Sequence, residues 1–323
     1  MTTPRALACV IAGSTLLALP TTATADGPPV GFMADGGVAA GSIRYAALPA
    51  GMGTVIEKLA TGGGRPLRTR YFKGAVGVPM VAMDGTAGGL SHDGRTLVLG
   101  IPRTTYPQRT STLYVMDTHD LSVRRRIRLK GDFSYDAIAP DGRTIYLTEL
   151  SQSNFTHYAI RAFDTTTGRL DPKPVVDRTE PDEAMSGLPM TRVMSPDGRY
   201  AYTLYSAFTR GQKPFVHALD TMHRSAACID IPPLPANSAD LALRLKGRRL
   251  TVIADGVPVA LVDTATRHVS KPGPAHPAPR PPARDTGDGG SSLGTWLLVA
   301  GAAAALAALA GLGARRRRTR SVA

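Results

Sequence analysis

Short runs of alternating polarity, each ended by a turn signal, succeed one another through the middle of this chain. The strands that end the repeated units are clearest in Val123-Arg124-Arg125-Arg126-Ile127-Arg128-Leu129 and from Ala226 to Ile231. Such runs, bounded by Gly, Pro and Asp, predict half-buried strands and not helices. They come in a fixed order. Ser91-His92-Asp93-Gly94-Arg95-Thr96-Leu97-Val98-Leu99 returns as Ala139-Pro140-Asp141-Gly142-Arg143-Thr144-Ile145-Tyr146-Leu147 and again as Ser195-Pro196-Asp197-Gly198-Arg199-Tyr200-Ala201-Tyr202-Thr203. A second phrase closes an apolar strand with Asp-Thr, at Asp117-Thr118, Asp164-Thr165, Asp220-Thr221 and Asp263-Thr264. Worn copies stand at Glu57 to Thr61 and at Leu245 to Val252.

Both phrases are turn chemistry. In Pro-Asp-Gly, proline presets φ, aspartate bonds its own backbone and glycine accepts a positive φ. In Asp-Thr, short polar side chains cap a strand and tighten the next turn. Asp93, Gly94, Asp141, Gly142, Asp197, Gly198, Asp117, Asp164, Asp220 and Asp263 are therefore read as structural repeat turns. Each unit reads as strand A, an Asp-Gly hairpin, strand B, a loop, strand C ending in Asp-Thr, a turn and strand D. A period of about fifty residues with this content is that of a repeated four-stranded blade. The expected fold is all-β: a β-propeller of about five four-stranded blades over residues 26–270, with one C-terminal transmembrane helix.

The Ser-Pro-Asp-Gly-Arg hairpin, paired with Val262-Asp263-Thr264-Ala265-Thr266, resembles the YVTN family of β-propeller repeats. The Pro-Asp-Gly blades of TolB-like proteins are a close second. The resemblance covers roughly residues 40–270. It departs from the family at His92, where proline is usual, and in the fourth copy, which lacks the Asp-Gly pair. Relatives of this kind typically have seven blades, so about five leaves ring closure open, to be met by a velcro strand or a partner blade. The family includes lactonases and quinoprotein subunits, so the resemblance also implies an enzyme reading.

The two ends read differently. Residues 1–25 carry Arg5, an apolar run from Ala6 to Leu19 and Ala23-Thr24-Ala25, the layout of a secretory signal peptide cleaved after Ala25. Residues 271–292, rich in Pro, Gly and Ser, read as an extended stalk. Residues 293–314 are uncharged and long enough to span a bilayer. The basic tail at 315–323 follows, which predicts a cytoplasmic end and an external body. Arg284-Asp285-Thr286-Gly287 has the layout of a sortase signal, but Ala283 and Arg284 stand where Leu and then Pro or Ala are needed, which favours a retained anchor. The expected location is the cell membrane, single-pass, with the body outside.

The chain has 38 Lys+Arg against 25 Asp+Glu. Setting aside Arg5 and the tail arginines 315–318 and 320 takes six of those charges and leaves 32 against 25. This basic balance suits anionic partners such as wall polymers or lipid headgroups, and equally an ordinary solvated surface. Nucleic acid is not an expected partner of an exported, anchored body. Without the leader only Cys228 remains, which excludes an intrachain disulfide and a multi-thiolate metal site.

Spacing points to a binding face. From a C-strand Asp to the next hairpin Asp the chain takes 24 residues between Asp117 and Asp141, but 33 between Asp164 and Asp197. Insertions in repeat folds gather on one face, often the binding face. The B–C and D–A loops share that face. Arg103, Tyr106, Arg109, Asn154, Phe208, Arg210 and Lys213 are its candidates, with the acidic insertion Glu180, Asp182 and Glu183. Arginines, aromatics and amides suit a polar or anionic ligand. The acidic loop lacks the alternating spacing of a calcium loop, and no nucleophile elbow or phosphate loop appears. No metal, cofactor or catalytic residue is expected. The first functional reading is a cell-surface binding or presentation module for an envelope polymer, peptide or protein. The second is an extracytoplasmic propeller enzyme, lactonase- or quinoprotein-like, with its site at the channel mouth.

Overall fold

The turn phrases set the fold because each fixes a reversal and leaves the intervening run no choice but to pair with its neighbour. A computed structural model describes residues 33–34, 37–153, 157–180, 185–207, 213–236 and 238–273. The chain divides into two units, Met1–Gly273 and Pro274–Ala323. The second lies outside the described residues, as do the expected signal peptide with Ala25, nearly all of the stalk, the membrane span and the basic tail. Among the described residues no helix is long and apolar enough to cross a membrane.

The first unit is all-β. Five antiparallel sheets follow one another along the chain, consistent with propeller blades. Sheet 1 holds β1 (Val38–Ala40), β2 (Ile43–Ala50), β3 (Gly53–Ala60) and β4 (Pro66–Lys73). Sheet 2 holds β5 (Thr96–Gly100), β6 (Thr110–Asp117) and β7 (Val123–Lys130). Sheet 3 holds β8 (Asp132–Ile138), β9 (Thr144–Leu150), β10 (His157–Asp164) and β11 (Arg169–Val175), and the short β12 (Met185–Ser186) also pairs with β10. Sheet 4 holds β13 (Leu188–Met194), β14 (Tyr200–Ser206), β15 (Phe215–Asp220) and β16 (Ser225–Asp230). Sheet 5 holds β17 (Leu241–Lys246), β18 (Arg249–Ala254), β19 (Val257–Asp263) and β20 (Val269–Ser270).

Sheet 2 lacks a continuous first strand. Isolated bridges Gly77↔Gly100 and Leu90↔Leu97 keep its two ends, and the segment between them folds on itself through Met80↔Ala87. This detour reaches sheet 4, where Met83 and Asp84 donate their N–H groups to the carbonyls of Pro189 and Met190. Pro79, Gly85 and Gly88-Gly89 interrupt what would have been a regular ladder, since proline cannot donate and glycine loosens a strand.

Alternation sends successive residues to opposite faces, and the inner strands β5 and β8 are buried on both, so buried rows meet between sheets. Ile56 meets Leu97, Leu99 and Met116 between sheets 1 and 2. Val98, Val115 and Ile127 meet Ile145 and Leu147 between sheets 2 and 3. Tyr146 and Ile160 meet Ala201 and Leu219 between sheets 3 and 4. Leu204 and Val216 meet Leu250 and Val252 between sheets 4 and 5. Full burial of one such aliphatic chain stabilises by about 1.5–3 kcal/mol, so the succession of sheets is held by these rows.

Candidate functional site

The two ends of the sheets differ in chemistry. At one end lie the repeated turns. The carboxylate of Asp93 accepts the N–H of Arg95, that of Asp141 the N–H of Arg143, and that of Asp197 the N–H of Arg199. Asp117, Asp164, Asp220 and Asp263 do the same for the N–H two residues on. The threonine after each of these four ties its turn to the first hairpin of the same sheet. Thr118 donates to the Gly94 carbonyl at 2.6 Å and Thr165 to that of Gly142 at 3.1 Å. Thr221 donates to the Arg199 carbonyl at 2.7 Å and Thr264 to that of Arg248 at 3.1 Å. The two sequence phrases recur together because one hydrogen-bonds the other. Burial alone would raise the Asp220 carboxyl, but hydrogen bonds from Arg199 and His223 outweigh it and hold it at about 2.

His92, where the other turns have proline, lies against Gly198 of sheet 4. A Cβ built at Gly198 would come within 2.5 Å of the His92 Cβ, and Gly198 has φ +71°. Only glycine fits that contact and that backbone together.

At the other end lie the irregular loops. Arg103 is drawn inward: its guanidinium lies 2.5 Å from Asp132, whose side chain is fully buried. The other Asp132 oxygen accepts the N–H of Gln108 at 3.0 Å, so one carboxylate braces the whole loop. The Tyr106 hydroxyl donates to the Ser151 carbonyl at 2.6 Å, joining the loops of sheets 2 and 3. Arg109 and Glu180 are exposed. Lys213 makes an exposed ion pair with Asp230 at 3.2 Å. Asn154, Phe208, Arg210, Asp182 and Glu183 lie outside the described residues.

A third region escaped the sequence reading. A cavity of about 310 Å³ lies among the first strands of sheets 1 to 4 and opens toward the Asp-Gly turns. Val38, Leu90, Ile138 and Met194 wall it, His92 and Gly198 stand at its turn end, and Asp136 and Arg192 lie deeper. Asp136 is the extra residue of a β-bulge between Tyr135 and Ala137, which turns its side chain out of the ladder. The Arg192 guanidinium bonds the Asp136 carboxylate and carbonyl, and its Nε donates to the Thr203 hydroxyl at 2.8 Å. Both side chains are 4% exposed. Burial pushes the nearby Tyr135 and Tyr205 phenols up. Burial also lowers His217 to about 4, so its ring is neutral at physiological pH. A signal was present: Arg192 is the one charge on β13, and β8 carries two, Asp132 and Asp136, on a strand that is buried throughout. Among the described residues no three His, Cys, Asp or Glu side chains are grouped to hold a metal ion.

No family model matches the chain, and no curated protein does. Solved structures are loosely similar. Hydrazine synthase of Kuenenia stuttgartiensis is 19% identical with a TM-score of 0.44, over 73% of this chain and 69% of that one. BamB of Moraxella catarrhalis is 16% identical with a TM-score of 0.39, over 69% of this chain and 62% of that one. A Dos1 propeller is 12% identical with a TM-score of 0.40, over 72% of this chain and 56% of that one. The fold described above rests on the sheets themselves.

Proposed function

We propose that this chain is an exported β-propeller of the YVTN kind, anchored by one C-terminal span, that works as a binding or presentation module at the cell surface. The observation that carries the reading is the division of labour between the two ends. The turn aspartates spend their carboxylates on their own backbone, whereas the loop end presents Arg109, Glu180 and the Lys213–Asp230 pair to solvent on a braced frame. Arg103 and Tyr106 serve that frame through Asp132 and Ser151, and Arg109 and Arg210 are left as the recognition arginines. The partner is an envelope polymer, peptide or protein.

The test has two parts. External protease added to intact cells should degrade the body while the membrane-embedded remainder persists; a body found in the cytoplasm overturns the reading. The full chain should then bind isolated cell envelope, with Arg109→Ala/Arg210→Ala weakening binding about tenfold or more, the loss of two charge-assisted contacts. Equal binding by the variant removes the loop end from recognition.

The second reading, a propeller enzyme at the channel mouth, draws on the axial cavity and on Asp136 in its wall. Asp136 and Arg192 lie almost wholly out of water, and Arg192 already holds one oxygen of the Asp136 carboxylate. A general base must reach the proton it removes, so the binding module is the better account.

A further inference from the structure

The outer edges of sheets 1 and 2 carry cations that no acid matches. On β4, Arg70 pairs across the ladder with Ile56 and Arg68 with Lys58, and Ile56 belongs to the core between the two sheets. Arg68 and Arg70 therefore sit on the face of sheet 1 that looks at sheet 2. On β7, Arg126 pairs with Tyr114, Arg128 with Thr112 and Lys130 with Thr110, and Tyr114 packs on that same core. Arg126, Arg128 and Lys130 thus look back at sheet 1. The two rows meet through rings. The Arg70 guanidinium lies 5.7 Å from the centre of the Phe72 ring. Phe72 meets Tyr114 edge to face at 5.3 Å. The Arg126 guanidinium lies 5.9 Å from the centre of the Tyr114 ring.

These five cations are exposed, and the ion pairs found among the described residues include none of them. Asp117, at the turn end of sheet 2, is held by Arg124 at 2.5 Å. Like charges gathered around a ring pair repel one another, so folding alone gives no reason to collect them. The strand period places Arg126, Arg128 and Lys130 about 6.7 Å apart in a line. Arginine suits phosphate oxygens through its rigid fork of donors.

We propose that this basic rim binds a linear phosphate polymer laid along β7, with the Arg70–Phe72–Tyr114–Arg126 stack beside it. The surface lies on the outer strands and reaches the loop end only at Lys130, near Arg109, so Arg126 and Arg128 test it apart from the loop-end reading.

Labelled polyphosphate is titrated with the full chain and followed by fluorescence anisotropy at about 50 and about 200 mM salt, where phosphate contacts give a steep salt dependence. Arg126→Glu/Arg128→Glu should weaken binding about tenfold or more and flatten the salt slope. Arg95→Glu/Arg143→Glu makes the same charge change at exposed turns and should alter binding less than about twofold, because distant exposed charges are screened. All of these positions are exposed, and an unchanged melting temperature checks that both variants fold. Equal losses in the two variants would mean net charge or the basic tail does the binding, and would overturn the proposal. So would no loss in either, tighter binding of polygalacturonate than of polyphosphate, or preferential binding to phosphatidylglycerol vesicles.

Discussion

Sheets 3 and 4 meet across an arginine set among aromatic rings, and so do sheets 1 and 2, yet the two boundaries are opposites. At the first, Arg192 is buried and its guanidinium is shared among Asp136 and Thr203. Tyr205 stacks on Tyr158 at 5.7 Å and on Phe215 at 5.1 Å beside it. At the second, Arg70 and Arg126 lie over Phe72 and Tyr114 in contact with water and with no carboxylate opposite. Where water is excluded, an unmatched charge costs several kcal/mol and is not tolerated. Where water remains, the mismatch is screened and leaves donors free for a partner. One boundary fixes the fold, and the other keeps its charge available.

The buried pair gives the largest expected effect. Arg192→Met removes one partner and strands the Asp136 carboxylate, so unfolding in urea at pH 7 should show a loss of about 3–5 kcal/mol. Replacing both partners by apolar residues, Arg192→Met with Asp136→Leu, should recover most of that loss, because no buried charge is left. If the single variant costs less than about 1 kcal/mol, water reaches the pair and the contrast between the two boundaries collapses.

His217 sharpens the same contrast through pH. Burial lowers its folded value to about 4, with Asp136 and Asp177 opposing and Arg192 reinforcing. The unfolded value is about 6.5. Between these two pH values the unfolded chain binds a proton that the native chain refuses, so stability falls as pH drops from about 6.5 to about 4. The full loss is about 3 kcal/mol, and below pH 4 this group adds nothing more. In His217→Gln that slope should vanish whatever the variant's baseline stability. A slope that persists unchanged would assign the acid sensitivity elsewhere.

Much of this was legible in the chain and some was not, for physical reasons. Turns were legible because Asp-Gly and Asp-Thr act within a few residues, and the pairing of Thr118, Thr165, Thr221 and Thr264 with the hairpin ends follows their recurrence. The broken first strand of sheet 2 was not, since Met83 and Asp84 take their acceptors from Pro189 and Met190, about a hundred residues away. Arg103 read as a ligand arm because Asp132, its buried partner, lies on the next sheet. The β7 arginines read only as part of a strand for the same reason. Alternation showed that Arg126 and Arg128 share a face, but not that Arg70 of another sheet shares it with them.

The rim gives the smallest expected effect on stability, and its sign is informative. Arg126→Glu at this boundary reverses one charge of a repelling set and places a carboxylate beside Arg128 on the same face of β7. Exposed pairs are worth about 0–1 kcal/mol, so the change should lie within about 0.5 kcal/mol and should favour folding at low salt. Raising salt from about 50 to about 500 mM should erase the gain, because screening within about 10 Å removes both the old repulsion and the new attraction. The same substitution at Arg192 would be ruinous. Denaturation at the two salt concentrations reads this directly. A loss above about 1 kcal/mol, independent of salt, would mean that Arg126 supports the fold by packing on Tyr114, and the rim would then belong to the same class as the buried boundary.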